Sequence, residues 1–141
     1  MPQHKLNTPT ALESLAEGNY ATVFELLHTG IAVMSATGMF LYCNQAFLDM
    51  FNLPSDIQGR HVSEFFLTGE QGVMTTIRTR KPSFCSSLTT TNTQGISFRY
   101  PLLDDKGKLF GVIIESISPS IGRERMERLL ETIHDLEEKS N

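Results

Sequence analysis

The sequence predicts an α+β fold: a five-stranded antiparallel sheet with short helices on one face, a helical cap before it and a coiled-coil-type helix after it. Three observations carry this. Runs with strand and helix periodicity follow the order helix, two strands, several short helices, three strands, helix. Two clusters of turn residues, Ala36-Thr37-Gly38 and Asp104-Asp105-Lys106-Gly107, join strands into hairpins. The last segment repeats apolar residues at spacings of 3, 4 and 3, the rhythm of a coiled-coil seam.

From the N-terminus, Thr8-Pro9 suits a helix start, with Thr8 as cap and Pro9 in the first turn. Leu12, Leu15 and Ala16 then share one face. After Gly18-Asn19, Tyr20, Val23, Phe24 and Leu27 continue at helical spacing to His28, and Gly30 ends the segment. Residues 1–23 are expected to form the helical cap. Strands Ile31–Ser35 and Met39–Cys43 flank the first turn, where Gly38 supplies a positive φ. Asn44 is placed to cap a helix over Asn44–Phe51, with Phe47, Leu48 and Phe51 as its apolar positions. Asn52-Leu53-Pro54-Ser55 turns, Gly59–Phe66 runs from a loop into a short helix, and Gly69–Arg80 carries Val73, Met74 and Ile77 at helical spacing before Pro82.

Three strands follow. Phe84–Thr91 is rich in Ser and Thr, and Asn92–Gly95 is the turn after it. Ile96–Leu102 alternates Ile96, Phe98 and Tyr100 with Ser97 and Arg99, the pattern of a half-buried strand. Leu109–Ile117 is the most apolar run, which predicts a central place in the sheet, and Pro119 stops it. Ile121–Lys139 is a charged helix with Met126, Leu129, Ile133 and Leu136 on one seam. Two heptads are too short to be stable alone and suit the start of a longer helix.

Net charge is −4, which argues against nucleic-acid binding by this segment, since phosphate contacts draw on clustered cations. No apolar run approaches the length of a membrane span, and the N-terminus lacks an apolar signal core. A cytoplasmic protein with no membrane partner is the expectation. Cys43 and Cys85 match no metal or redox spacing and read as reduced, buried thiols. No catalytic motif is present, so no enzyme is expected: Ser-His-Asp, His-Glu-x-x-His, phosphate-loop and paired-carboxylate patterns are all missing.

Several of these residues carry a resemblance to the PAS sensor family. Gly30-Ile31-x-Val33 resembles its first strand, Gly38 its hairpin glycine, and Tyr42-x-Asn44-x-x-Phe47 its second strand with the capping Asn. Leu53-Pro54 with Gly59-Arg60 is similar to its linker helices. Pro101 to Gly111 resembles the turn into its last strand. The likeness covers roughly residues 24–117, so a PAS core at 24–118 and an exit helix at 119–141 are expected.

The resemblance frames the cofactor question. In the light-sensing flavin subclass the matching stretch resembles Gly-Arg-Asn-Cys-Arg-Phe. Here it reads Gly59-Arg60-His61-Val62-Ser63-Glu64, with Val62 where the adduct-forming Cys stands, which argues against a covalent flavin photocycle. A chain without Trp is a poorer match to the redox flavin subclass. Haem needs an axial ligand, the Gly69–Arg80 helix has no His, and His61 is the candidate left, read first as a locally bonded loop histidine. Cofactor identity stays open, with a small metabolite allowed. The candidate pocket walls are Ile31, Val33, Phe47, Phe51, His61, Phe65, Ile77, Phe98, Tyr100 and Ile113, with Ser87, Thr89, Ser97 and Arg99 as polar groups in reach. A filled core explains the same residues and is favoured.

The resemblance implies a sensory module of a bacterial signalling protein that dimerises and passes a signal through its last helix. Leu12, Leu15, Met126, Leu129, Ile133 and Leu136 are the expected homodimer contacts. The expected effector lies beyond Asn141, with an enhancer-binding transcription activator ahead of a histidine kinase, because His134 is followed by Asp135-Leu136. A ligand-free dimerisation scaffold is the other reading.

Overall fold

The structure, a computed structural model, describes residues 19–68 and 72–140. The expected helix at Thr8–Ala16, with Leu12 and Leu15, lies outside them. The elements are α1 (Asn19–Glu25), β1 (Gly30–Ser35), β2 (Phe40–Cys43), α2 (Gln45–Phe51), a 3-10 turn (Val62–Glu64), α3 (Val73–Thr79), β3 (Ser83–Leu88), β4 (Gln94–Leu103), β5 (Leu109–Ile117) and α4 (Pro119–Lys139). The five strands form one antiparallel sheet in the order β2-β1-β5-β4-β3, with β5 central as its apolar sequence predicts. Cys43 and Cys85 are free thiols on the two opposite edge strands.

Asn44 shows why the first half folds as it does. Its Oδ1 accepts from Phe47 N at 2.9 Å, capping α2, and from Ile31 N at 2.8 Å, fixing β1. Its Nδ2 donates to the carbonyls of Phe24 at 2.9 Å and Thr29 at 3.0 Å. One side chain thus ties three elements together. Gly30 has a second role beyond ending a helix: a Cβ there would come 2.9 Å from Phe47 Cα, so its bare backbone lets α2 lie against β1.

The inner face of the sheet is covered by helices and the outer face is covered in part, over β1, β2 and β5. The inner face packs Ala32, Met34, Val112 and Ile114 against α2, the 3-10 turn and α3, around a cluster of Phe40, Phe47, Phe51, Phe65 and Phe66. Phe51 contacts Phe66 edge to face at 5.0 Å between centroids. On the outer face α1 brings Ala21 and Phe24 onto Val33, Tyr42 and Ile113.

Four boundaries differ from expectation. Helix α1 ends at Glu25, three residues before His28. Strand β3 ends at Leu88 because Thr89 closes a tight turn, with Thr93 N donating to Thr89 Oγ1 at 2.9 Å and Asn92 at φ 70°. Gly95 is not a turn residue. It sits inside β4, where a Cβ would approach the Phe51 ring to 2.6 Å, so the glycine is the seat of that ring. Helix α4 starts earlier than expected, at Pro119, with Ser118 as its cap. The proline that ends β5 therefore also occupies the first helical position.

Candidate functional site

Between the inner sheet face and the helices lies a small cavity. Its apolar wall is Met34, Phe47, Val62, Phe66, Val73 and Ile114, and its polar end is Thr68, Ser87, Ser97 and Arg99. The volume is about 20 Å³, room for about one water. Atom-free space including the open mouth reaches about 290 Å³.

The polar end is a run of side chains across three strands. Arg99 Nη2 donates to Ser87 Oγ at 2.9 Å, Ser87 Oγ donates to Ser97 Oγ at 2.8 Å, and Ser97 Oγ lies 2.7 Å from Ser116 Oγ. Arg99 Nη1 donates to Cys85 Sγ at 3.1 Å. All of these residues except Cys85 are buried, Arg99 at 3% exposure. Strand pairing lines them up: Ser97 stands opposite Cys85 on one side and Ser116 on the other.

This placement corrects the expected pocket. The alternation in β4 is real, but its polar parity faces inward. Gly95, Ser97 and Arg99 point to the helices, while Phe98 and Tyr100 lie on the outer face, Tyr100 46% exposed and Phe98 stacked on Phe84 at 5.2 Å. Ile31 and Val33 alternate with the inward Ala32 and Met34, and Val33 and Ile113 belong to the outer cluster under α1. The rule that apolar residues face the core fails in β4 because its inward positions meet the Phe51 ring and carry the buried hydroxyl run, which leaves Phe98 and Tyr100 to the partly exposed outer face. Of the expected apolar wall, Phe47 lines the cavity. Phe51, Phe65 and Ile77 belong to the packed aromatic core beside it. The polar candidates fared better: Ser87, Ser97 and Arg99 line the cavity, while Thr89 turns into the hairpin after β3, where its Oγ1 lies 3.1 Å from Thr91 Oγ1.

Met34, Val62, Phe66, Thr68, Val73 and Ile114 complete the lining beyond the residues that the sequence pattern indicates. Met34 and Ile114 were legible in principle, being on the same strand parity as Ala32 and Val112. The other four come from irregular segments and helix ends whose orientation periodicity does not report.

His61 is a local cap, as its loop position suggested. It accepts from Ser63 N at 3.1 Å through Nδ1, Glu64 Oε2 accepts from His61 N at 3.1 Å, and its Nε2 lies 3.1 Å from the Thr37 carbonyl. Both ring nitrogens are thus committed outside the cavity. Among the described residues no cluster of three or more His, Cys, Asp or Glu side chains is arranged to hold a metal. Burial, helped by the nearby Glu25 charge, pushes the Cys43 thiol well above its ordinary value, which keeps it protonated and inert.

At the far end of the sheet, β5 passes directly into α4. Ser118 Oγ accepts from Ile121 N at 3.3 Å, and Gly122 packs on Ile96 and Ile117, where a Cβ would come 2.8 Å from Ile96 Cδ1. Beyond Gly122 the helix leaves the domain. Met126, Leu129, Ile133 and Leu136 are all exposed, Leu136 by 62%. No helix among the described residues is long and apolar enough to cross a membrane.

Comparison with known proteins places this geometry. The family model described as PAS domain matches residues 19–82. No curated protein sequence matches the chain. Among solved structures, the PAS domain of a Colwellia psychrerythraea protein is 14% identical with TM-score 0.57, covering 70% of this chain and 92% of its own. The PAS domain of the fruit-fly ELK potassium channel is 12% identical with TM-score 0.55, covering 71% and 94%. The PAS domain of Bordetella pertussis BvgS is 25% identical with TM-score 0.49, covering 84% and 95%. The family model and the Colwellia and ELK structures show a PAS fold.

Proposed function

Given that the chain carries a PAS domain, we propose that it is a sensory and dimerisation module whose output is α4. A ligand in the cavity, or a partner on the sheet, shifts the sheet, β5 carries the shift, and two α4 helices change their packing in a homodimer. The observation that carries this reading is the position of β5. Its Ile114 lines the cavity, its Ser116 ends the buried hydroxyl run, and α4 starts at Pro119. Cavity and output helix are therefore joined by a few residues of one central strand. The exposed Met126, Leu129, Ile133 and Leu136 support pairing, because an apolar stripe on a solvated helix is stabilised by a second copy.

The reading assigns no catalysis. The buried serines are bonded to one another and to Arg99, and no His, Asp or Glu among the described residues bonds them as an activating base. For the effector joined through α4 we propose an enhancer-binding transcription activator. A histidine kinase is the alternative, disfavoured by the Asp135-Leu136 that follows His134. A cytoplasmic location goes with either.

Replacing Leu129 and Ile133 together by Asp tests the output. The wild type should show a dimer mass by light scattering and the variant a monomer mass, with the same circular dichroism from the core. An unchanged dimer mass sinks the role of α4. Native mass spectrometry set against the denatured mass reports a co-purified ligand, and a protein that dimerises yet binds no small molecule is a scaffold rather than a sensor.

A further inference from the structure

The only charged side chain in the described core is Arg99. No carboxylate among the described residues reaches it at ion-pair distance; the ion pairs there are Arg60 with Asp56 and Glu64, and His134 with Glu138. Its acceptors are a neutral hydroxyl and a thiol sulfur, the latter a weak acceptor. The hydroxyl run does not neutralise it, since Ser87 accepts from Arg99 and hands its own proton on toward Ser97. A buried cation left without a counter-charge is costly, and an anion delivered to it recovers that cost through charge-assisted hydrogen bonds.

The walls define the anion. Apart from Thr68, Ser87, Ser97 and Arg99 the lining is apolar, with Phe47, Phe66, Val73 and Ile114 among it. A planar guanidinium at one end of an apolar chamber matches a carboxylate head with a hydrocarbon tail, and it matches poorly a fully hydrated inorganic anion. We infer that the cavity takes a small aliphatic monocarboxylate, its head on the Arg99 guanidinium and its tail against Phe47, Phe66 and Ile114. This rests on the sensory reading above and names its ligand class. The cavity as it stands, about 20 Å³, is smaller than such a ligand, so binding displaces a wall. The wall in direct contact is the start of α3: Val73 lines the cavity, and a Cβ at Gly72 would lie 2.7 Å from Arg99 Nη2. Carboxylate binding is thereby coupled to movement of α3 against β4 and β5.

The experiment is a thermal-shift and calorimetric titration of the full chain with straight-chain carboxylates from acetate to hexanoate, their neutral amides, and inorganic phosphate. A carboxylate near the middle of the series should raise Tm saturably, by roughly 5 °C at saturation, while its amide and phosphate do not. Arg99→Met should weaken the carboxylate by roughly tenfold or more, and Arg99→Lys by less. If Arg99→Met does not fold, the carboxylate and amide pair on the wild type still decides. An amide that binds as well as its acid overturns the carboxylate claim and leaves the sensory reading standing. Phosphate binding alone overturns it in favour of an inorganic anion. Glu70 lies outside the described residues, two positions before Gly72. A response seen in Glu70→Gln and missing from the wild type overturns the claim by making Glu70 the counter-charge. If no probe binds either protein, the claim falls, and the light-scattering test on Leu129 and Ile133 decides the output helix independently.

Discussion

Asn44 holds the carbonyls of Phe24 and Thr29 and the N–H groups of Ile31 and Phe47 while itself fully buried. Asn44→Ala strands those groups away from water and should cost about 3 kcal/mol, read as a lower urea midpoint. The capping half of this role was legible, because an Asn between a strand and an apolar helix pattern is a cap. The two carbonyl bonds were not, since they come from residues brought near by the fold. Exposed charges act more weakly. Glu64 is held below the usual carboxylate range by Arg60 and the His61 N–H, and Asp104 by the N–H groups of Lys108 and Lys106. Both bind protons less readily folded than unfolded, so their stabilisation is present above their ordinary pKa and is lost as pH falls below about 4. Glu64→Gln should flatten the fall of Tm with acid over that window. Tyr42 behaves oppositely. Burial, and a 2.6 Å hydrogen bond to Glu25, keep its phenol protonated well above its ordinary value. Its contribution is complete below pH about 10 and is lost as pH rises above it, which tyrosinate absorbance against pH would show as a late-titrating phenol.

Strand β4 is where element-level reasoning and the structure part company. Ile96, Phe98 and Tyr100 have the periodicity of an inward face, yet Gly95, Ser97 and Arg99 take that face. Gly95 makes the reason concrete: Phe51 of α2 descends onto β4 at a position that admits no side chain. Gly95→Ala should destabilise by about 1–3 kcal/mol through overpacking. Adding Phe51→Leu should recover part of that loss, and additive effects in the double-mutant cycle would refute the contact. At the start of α4 the corresponding seat is Gly122 over Ile96. The helix itself was legible from its heptad spacing, which is local, while its start at Ser118 and Pro119 was not, because the same proline reads equally well as the end of β5.

Across the whole molecule, the two faces of the sheet divide the work. The outer face carries α1 and a stacked Phe84–Phe98 pair, while the inner face carries the aromatic core and the arginine-ended cavity. If α4 pairs as proposed, Tm should rise with protein concentration for the wild type and stay constant for the Leu129, Ile133 double Asp variant, because association stabilises by mass action. A concentration-independent wild type would count against the dimer. Element order, the two hairpin turns, the central place of Leu109–Ile117 and the cap at Asn44 follow from the sequence alone, because propensity, turn chemistry and periodicity act over a few residues. Which parity of β4 faces the helices, and hence that Arg99 rather than Tyr100 ends the cavity, was decided by the tertiary structure. The docking of α2 on Gly95 and the buried hydrogen-bonded run from Arg99 through Ser87 and Ser97 to Ser116 set that parity, and both join residues far apart in sequence, which the alternation of β4 alone does not report.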